Sequence, residues 1–141
     1  MRLETCLKPR NFYDFYMWNI SVKLQKIDLL LKTSWRGISL SSAARALDVS
    51  SEEISRIMRD ESIKRIDRDN FYRVMRRGSS GICRYVRRED ELCRPLTYTL
   101  EEIAYIYDLN IEDVNRASEI TGITEATALT LPCLFYHIPA E

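Results

Sequence analysis

Apolar residues recur at Tyr13, Met17, Ile20, Leu24, Ile27 and Leu31, in steps of four and three. That spacing draws one seam along a helix predicted over about residues 11–32. Lys23, Lys26, Asp28 and Lys32 fall mostly off the seam. So short a seam fits core packing, and it leaves a homodimer contact through the N-terminal helix open. Trp35-Arg36-Gly37 follows, with Gly37 as the helix breaker.

Residues 39–58 read SLSSAARALDVSSEEISRIM. Ser39, Ser41 or Ser42 can cap a first helix that carries Ala43, Ala44 and Leu47 inward. Asp48-Val49-Ser50 is a turn, and Asp48 stands where a positive φ is wanted. Ser50 with Glu53 predicts a capping box for a second helix, whose inner face is Ile54, Ile57 and Met58. Beyond it a polar break at 67–70 fits a two-stranded wing or another short helix equally. Gly78-Ser79-Ser80-Gly81 reads as a flexible loop, and Cys93-Arg94-Pro95 as a boundary.

Sixty positions after the first pattern the chain reads TLEEIAYIYDLNIEDVNRAS, at 99–118. The two stretches share Leu40 and Leu100, Ala44 and Ala104, Asp48 and Asp108, Glu52 and Glu112, and Arg56 and Arg116. Thr99 with Glu102 predicts a cap, Ile103, Ala104, Ile106 and Tyr107 an inner face, and Asp108-Leu109-Asn110 a turn. Ile111, Val114 and Ala117 continue the inner face. A threonine-rich loop spans 121–128, and the apolar run 129–138 looks like a strand interrupted by Pro132. The expected fold class is mainly α. A helix-turn-helix domain with its N-terminal helix fills residues 1–95, and a small α or βααβ module fills 96–141.

The chain has 141 residues, 45% hydrophobic and 30% charged, which suits one ordinary domain or two very small ones. No apolar run approaches a membrane span, and MRLETCLKPRNFYDF contains no leader-like apolar core. No membrane partner and a cytoplasmic location are therefore expected. Cys6, Cys83, Cys93 and Cys133 include no CxxC, and with His137 they form neither a zinc pattern nor a disulfide framework. Reduced, mostly packed thiols are expected, with no metal and no cofactor.

A net charge of zero hides an asymmetry. Residues 1–95 hold 20 of the 21 Lys and Arg against 13 acids, a net +7, whereas 96–141 hold one Arg against eight acids, a net −7. The first half therefore faces a polyanion well, and the second does not.

A small residue at Ala44, a turn at Asp48 and a buried Val49 are what a DNA-reading helix pair needs. The N-terminal residues of the second helix are then free for base edges in a major groove. This stretch resembles the helix-turn-helix of bacterial and phage regulators. The resemblance implies double-stranded DNA as partner and transcriptional regulation as function. Ser51, Ser55, Arg56 and Arg59 are the base-facing candidates, with Glu52 beside them. Arg65, Arg68, Arg73, Arg76, Arg77, Arg84, Arg87 and Arg88 are the pool for phosphate contacts, since a guanidinium fork suits bidentate phosphate binding.

The second helix pair has an acidic exterior (Glu101, Glu102, Glu112, Asp113) and would lose Coulomb energy beside phosphates. Its residues Thr99-Leu100, Ile103-Ala104 and Tyr107, then Glu112, Val114 and Ala117, with Pro132 and Ile138-Pro139 in the tail, resemble the LysM module. That module is a small βααβ domain that binds glycans containing N-acetylglucosamine. Thr97-Tyr98 stands where the family has Gly-Asp, Ser118 where it has asparagine, and Cys133 where it has glycine. Ser39-Leu40, Ala43-Ala44 and Leu47 loosely fit the same core, and Phe71-Tyr72-Arg73-Val74 fits its closing strand. The alternative function is thus a structural, cell-envelope or spore-associated protein with one or two LysM-like modules for glycan or protein. No catalytic constellation stands out: His137 is expected to pack in an apolar tail, and the paired carboxylates sit where they favour helix dipoles. The chain is read as a non-enzyme.

Overall fold

The computed structural model describes residues 8–140; Cys6 lies outside them. The predicted N-terminal helix is interrupted. Asn11 caps α1 (Phe12–Tyr16), a π-helical turn covers Met17–Ser21, and α2 (Val22–Thr33) follows. A π turn adds one residue and rotates the buried face. Phe12 rather than Tyr13 is therefore buried before it, while Ile20 and Ile27 of the predicted seam are buried within and after it. The helix ends earlier than expected, at Thr33 with Ser34 as its cap, and Gly37 at φ 120 lies three residues beyond that cap.

The chain divides into two compact units, one of residues 21–93, the other of residues 1–20 with 94–141. In the first, Ser39 is the cap of α3 (Leu40–Leu47), its hydroxyl accepting from the Ser42 N–H at 3.1 Å. Asp48 takes φ 59, and Ser50 caps α4 (Ser51–Asp60) by accepting from the Glu53 N–H. The expected box is only half formed, because the Glu53 carboxylate turns to Ser79. Chain returning from α4 makes an antiparallel bridge in which the Ile38 N–H donates to the Ile66 carbonyl at 2.9 Å. The polar break at 67–70 is then a helix start. The Asp67 carboxylate accepts from the Asp69 and Asn70 N–H groups, and the Asn70 side chain accepts from the Asp67 N–H, launching α5 (Phe71–Arg77).

Gly78-Ser79-Ser80-Gly81 is a tight corner, not the flexible loop expected. Ser80 caps α6 (Gly81–Glu91), a helix the sequence reading left undefined, and its hydroxyl donates to the Leu47 carbonyl at 2.6 Å. A Cβ on Gly78 would lie 2.4 Å from the Cys83 sulfur, so only glycine lets α5 and α6 meet this closely. Leu47, Ile54, Ile66, Phe71, Val74 and Cys83 form the core, all essentially without solvent contact.

The other unit repeats this plan. β1 (Tyr98–Thr99) leads into α7 (Leu100–Tyr107), Asp108 takes φ 56, and α8 (Ile111–Thr121) ends on Gly122 at φ 76. β2 (Glu125–Ala126) returns antiparallel to β1, pairing Tyr98 with Ala126. Thr99 and Glu102 complete the expected capping box.

The final element corrects the sequence reading: 129–138 is not a strand but contains α9 (Leu131–Tyr136). Leu131, Leu134 and Phe135 are buried at helical spacing, and Pro132 sits in the first turn, where a missing N–H costs nothing. Phe71-Tyr72-Arg73-Val74 is likewise helical, in α5, rather than a closing strand. Ile111 is exposed, off the inner face assigned to it, whereas Val114 and Ala117 are buried as expected. The α1 helix packs on α9: Phe12, Tyr107 and Phe135 meet in edge-to-face contacts of 4.8–6.0 Å, and the Phe12 N–H donates to the Ile138 carbonyl at 2.7 Å.

Sequence identity between the two stretches is sparse, yet the offset of sixty holds without insertion from Ile38 and Tyr98 to Gly78 and Ile138. Ile38–Ile66 corresponds to Tyr98–Ala126, Ser62 at φ 58 to Gly122, and the Asp67–Asn70 turn to a Thr127–Thr130 turn. The chain contains the same small fold twice.

Candidate nucleic-acid interface

Two isoleucines fix α4 from below: Ile54 and Ile57 are buried one turn apart, which turns Glu52, Arg56, Arg59 and Asp60 to solvent. Ser51 and Ser55 are half-buried at the edges of that face. The side chains of Arg56 and Arg59 have no ion-pair or hydrogen-bond partner among the described residues, and the same holds for Lys64 and Arg68.

The other arginines in the candidate pool are placed differently. Arg73 and Arg77 on α5 converge on Glu61, just after α4. Arg73 donates to the Glu61 backbone carbonyl at 2.8 Å, and Arg77 reaches its carboxylate at 2.5 Å. Arg77 also lies 3.6 Å from Asp60. The Arg77 hydrogen bond, with Arg73 helping, holds the Glu61 carboxyl below its ordinary pKa. Arg76 pairs with Asp90 at 3.4 Å, and Arg87 donates to the Arg76 and Gly78 carbonyls at 3.0 and 3.1 Å. Together they line a cleft of about 470 Å³ between α5, α6 and the end of α4. Arg84 and Arg88 are half-buried on α6, and Arg65 donates to the Arg36 carbonyl. Of the twelve candidates, then, Arg56, Arg59 and Arg68 stand unengaged, while Arg73, Arg76, Arg77 and Arg87 tie helices together.

The reading from sequence missed the clamp that sets the angle of α4. The Glu53 carboxylate accepts from both the N–H and the hydroxyl of Ser79, at 2.7 and 2.8 Å. No local pattern announces it, since the partners lie 26 residues apart.

In the second copy, α8 occupies the place of α4 and presents Ile111, Glu112, Asn115, Arg116, Glu119 and Ile120. Arg116, the counterpart of Arg56, is taken by Asp113 at 3.1 Å. Across whole units, residues 21–93 hold 16 basic against 11 acidic residues, a net +5. The unit of residues 1–20 and 94–141 holds five against ten, a net −5.

No family model, curated protein or solved structure matches this chain. Its site is therefore read from its own side chains. His137 is exposed at the end of α9, contrary to the packed position expected, because the helical register turns Leu134, Phe135 and Ile138 inward instead. Among the described residues Cys93 and Cys133 are exposed and only Cys83 is buried, so these three thiols are not mostly packed as expected. Burial pushes the Cys83 thiol pKa up, which keeps it protonated and unreactive. Among the described residues no three His, Cys, Asp or Glu side chains come together as metal ligands would, and no helix is long and apolar enough to cross a membrane.

Proposed function

We propose that this protein binds double-stranded DNA through α4 and acts as a transcriptional regulator of the helix-turn-helix kind. The observation that carries the reading is the pair Arg56 and Arg59. Both are exposed on a helix whose orientation is fixed by buried isoleucines and the Glu53–Ser79 clamp, and both lack an intramolecular partner among the described residues. With Ser51 and Ser55 at the edge of that face, they are the base-facing set, and Arg68 is first among the phosphate contacts. Arg73 and Arg77 brace the end of α4, and Arg76 and Arg87 tie α5 to α6, instead of touching phosphate. Such a protein works in the cytoplasm and performs no chemistry of its own.

The acidic copy serves protein contact or regulation. A LysM-like, glycan-binding reading of it has less support: β1-α7-α8-β2 follows the order βααβ, but residues 131–136, where the resemblance sets the closing strand, are helical.

The test is a titration of labelled duplex DNA with the full chain at several salt concentrations. Affinity should fall as salt rises, by a log–log slope of roughly −0.9 for each phosphate that a side chain neutralises. A negligible signal at low salt would remove the reading.

A further inference from the structure

The loop 34–37, which enters the basic copy, and the segment 63–68, which leaves α4, are held side by side. The Ile38–Ile66 bridge joins them, Arg65 donates to the Arg36 carbonyl, and the Asn70 amide donates to the Arg65 carbonyl at 2.9 Å. Gly37 lies within this pair at φ 120, in the left-handed region that favours glycine. On this braced pair stand four exposed cations, Arg36, Lys64, Arg65 and Arg68. Exposed Asp69 follows Arg68, and beside Arg36 the indole of Trp35 is 69% exposed, although an indole usually buries most of its surface. The Arg36 guanidinium lies 4.7 Å above the ring centroid, which holds the ring in place while leaving most of it in water.

The corresponding positions of the acidic copy are Pro95, Leu96, Thr124, Glu125 and Ala128, which carry no aromatic ring and no cation. The backbone plan is shared, so this cluster is not something the fold requires. It belongs to the chemistry of the basic copy, like Arg56 and Arg59.

We infer that Trp35, stacked by Arg36 on the same braced pair of segments that carries Arg65 and Arg68, is a second DNA contact that takes an unpaired nucleobase beside the duplex held by α4. An exposed indole offers a π face that any base can stack on, and the cations meet the phosphates on either side. A continuous duplex hides its base faces, so the site distinguishes DNA with a single-stranded overhang or bubble from fully paired DNA. The inference rests on the duplex-binding reading above and adds a preferred DNA form to it.

The experiment uses the full chain with Trp18→Phe, so that Trp35 alone emits, titrated with a blunt duplex and with the same duplex carrying a short 3′ overhang. Binding is followed by anisotropy of labelled DNA, and stacking by indole emission. The overhang should bind roughly tenfold more tightly, within the range that base–aromatic stacking supplies, and quench Trp35 more strongly. Adding Trp35→Ala should erase the preference and leave blunt-duplex affinity within about twofold of its starting value. Trp35→Phe, in the presence of Trp18, should keep part of the preference. Equal affinity for both DNAs, or a preference that survives Trp35→Ala, overturns the stacking site and leaves α4 untouched. Failure to bind either DNA overturns the duplex reading together with this one.

Discussion

Asp48 and Asp108, sixty positions apart, close their first helices in the same left-handed conformation, at φ 59, ψ 43 and φ 56, ψ 49. Each N–H reaches back to an alanine carbonyl four residues earlier, Ala44 or Ala104. Aspartate tolerates this region better than alanine, and at Asp48 the carboxylate also meets Lys23 at 3.0 Å. Asp48→Ala and Asp108→Ala should each destabilise the protein by about 1 kcal/mol in urea unfolding, while the glycine variants stay close to wild type. Equal stability of alanine and glycine variants would contradict the shared turn.

Glu53 provides a second test. It holds the start of α6 against α4 through two charge-assisted bonds to Ser79. Glu53→Ala should cost about 1–2 kcal/mol, and Ser79→Ala less, because the backbone N–H bond survives. If the two substitutions cost the same, the backbone bond contributes nothing.

Glu61 makes stability pH-dependent. Its carboxyl is held below its ordinary pKa by Arg77 and Arg73, so its contribution is present at neutral pH. It is lost as pH falls through the lowered value, because the unfolded chain binds the proton first. Glu61→Gln should therefore be less stable than wild type near neutrality, and the two should converge in acid. Parallel curves down to acid pH would show that the Arg73–Glu61–Arg77 cluster is inert.

Thiol chemistry should sort the cysteines by position. Under native conditions Cys93 and Cys133 should react readily with a thiol reagent, and Cys83 only as fast as the unit opens. Mass spectrometry of labelled peptides separates the three; fast labelling of Cys83 would contradict the packed α5–α6 corner.

Much of this was legible in the residues. The 3.6-residue periodicity located α3, α4, α7 and α8, and serine, threonine and aspartate marked their caps and turns, because those signals are local. The short helices α5 and α9 were not, since Phe71-Val74-Met75 and Leu131-Leu134-Phe135 are too brief for period to separate helix from strand. Their starts are fixed by the side-chain turns Asp67–Asn70 and Thr127–Thr130. The arginine-rich composition pointed to the basic unit but could not sort its members. Whether Arg77 faces solvent or Glu61 depends on how α5 packs after α4, a tertiary matter no spacing rule carries. The setting of Trp35 was hidden for the same reason: only the bridge from Ile38 to Ile66 brings its loop beside the segment that carries Arg65 and Arg68.

The most direct measurement compares one substitution at two equivalent positions, Arg56→Glu and Arg116→Glu, in duplex-DNA titrations of the full chain at fixed salt. Arg56→Glu should reduce affinity by at least about tenfold, as loss of a base-contacting arginine does, while Arg116→Glu should leave it unchanged. Equal effects at the two positions, or an effect only at Arg116, would contradict a division of labour in which the α4 copy alone meets DNA.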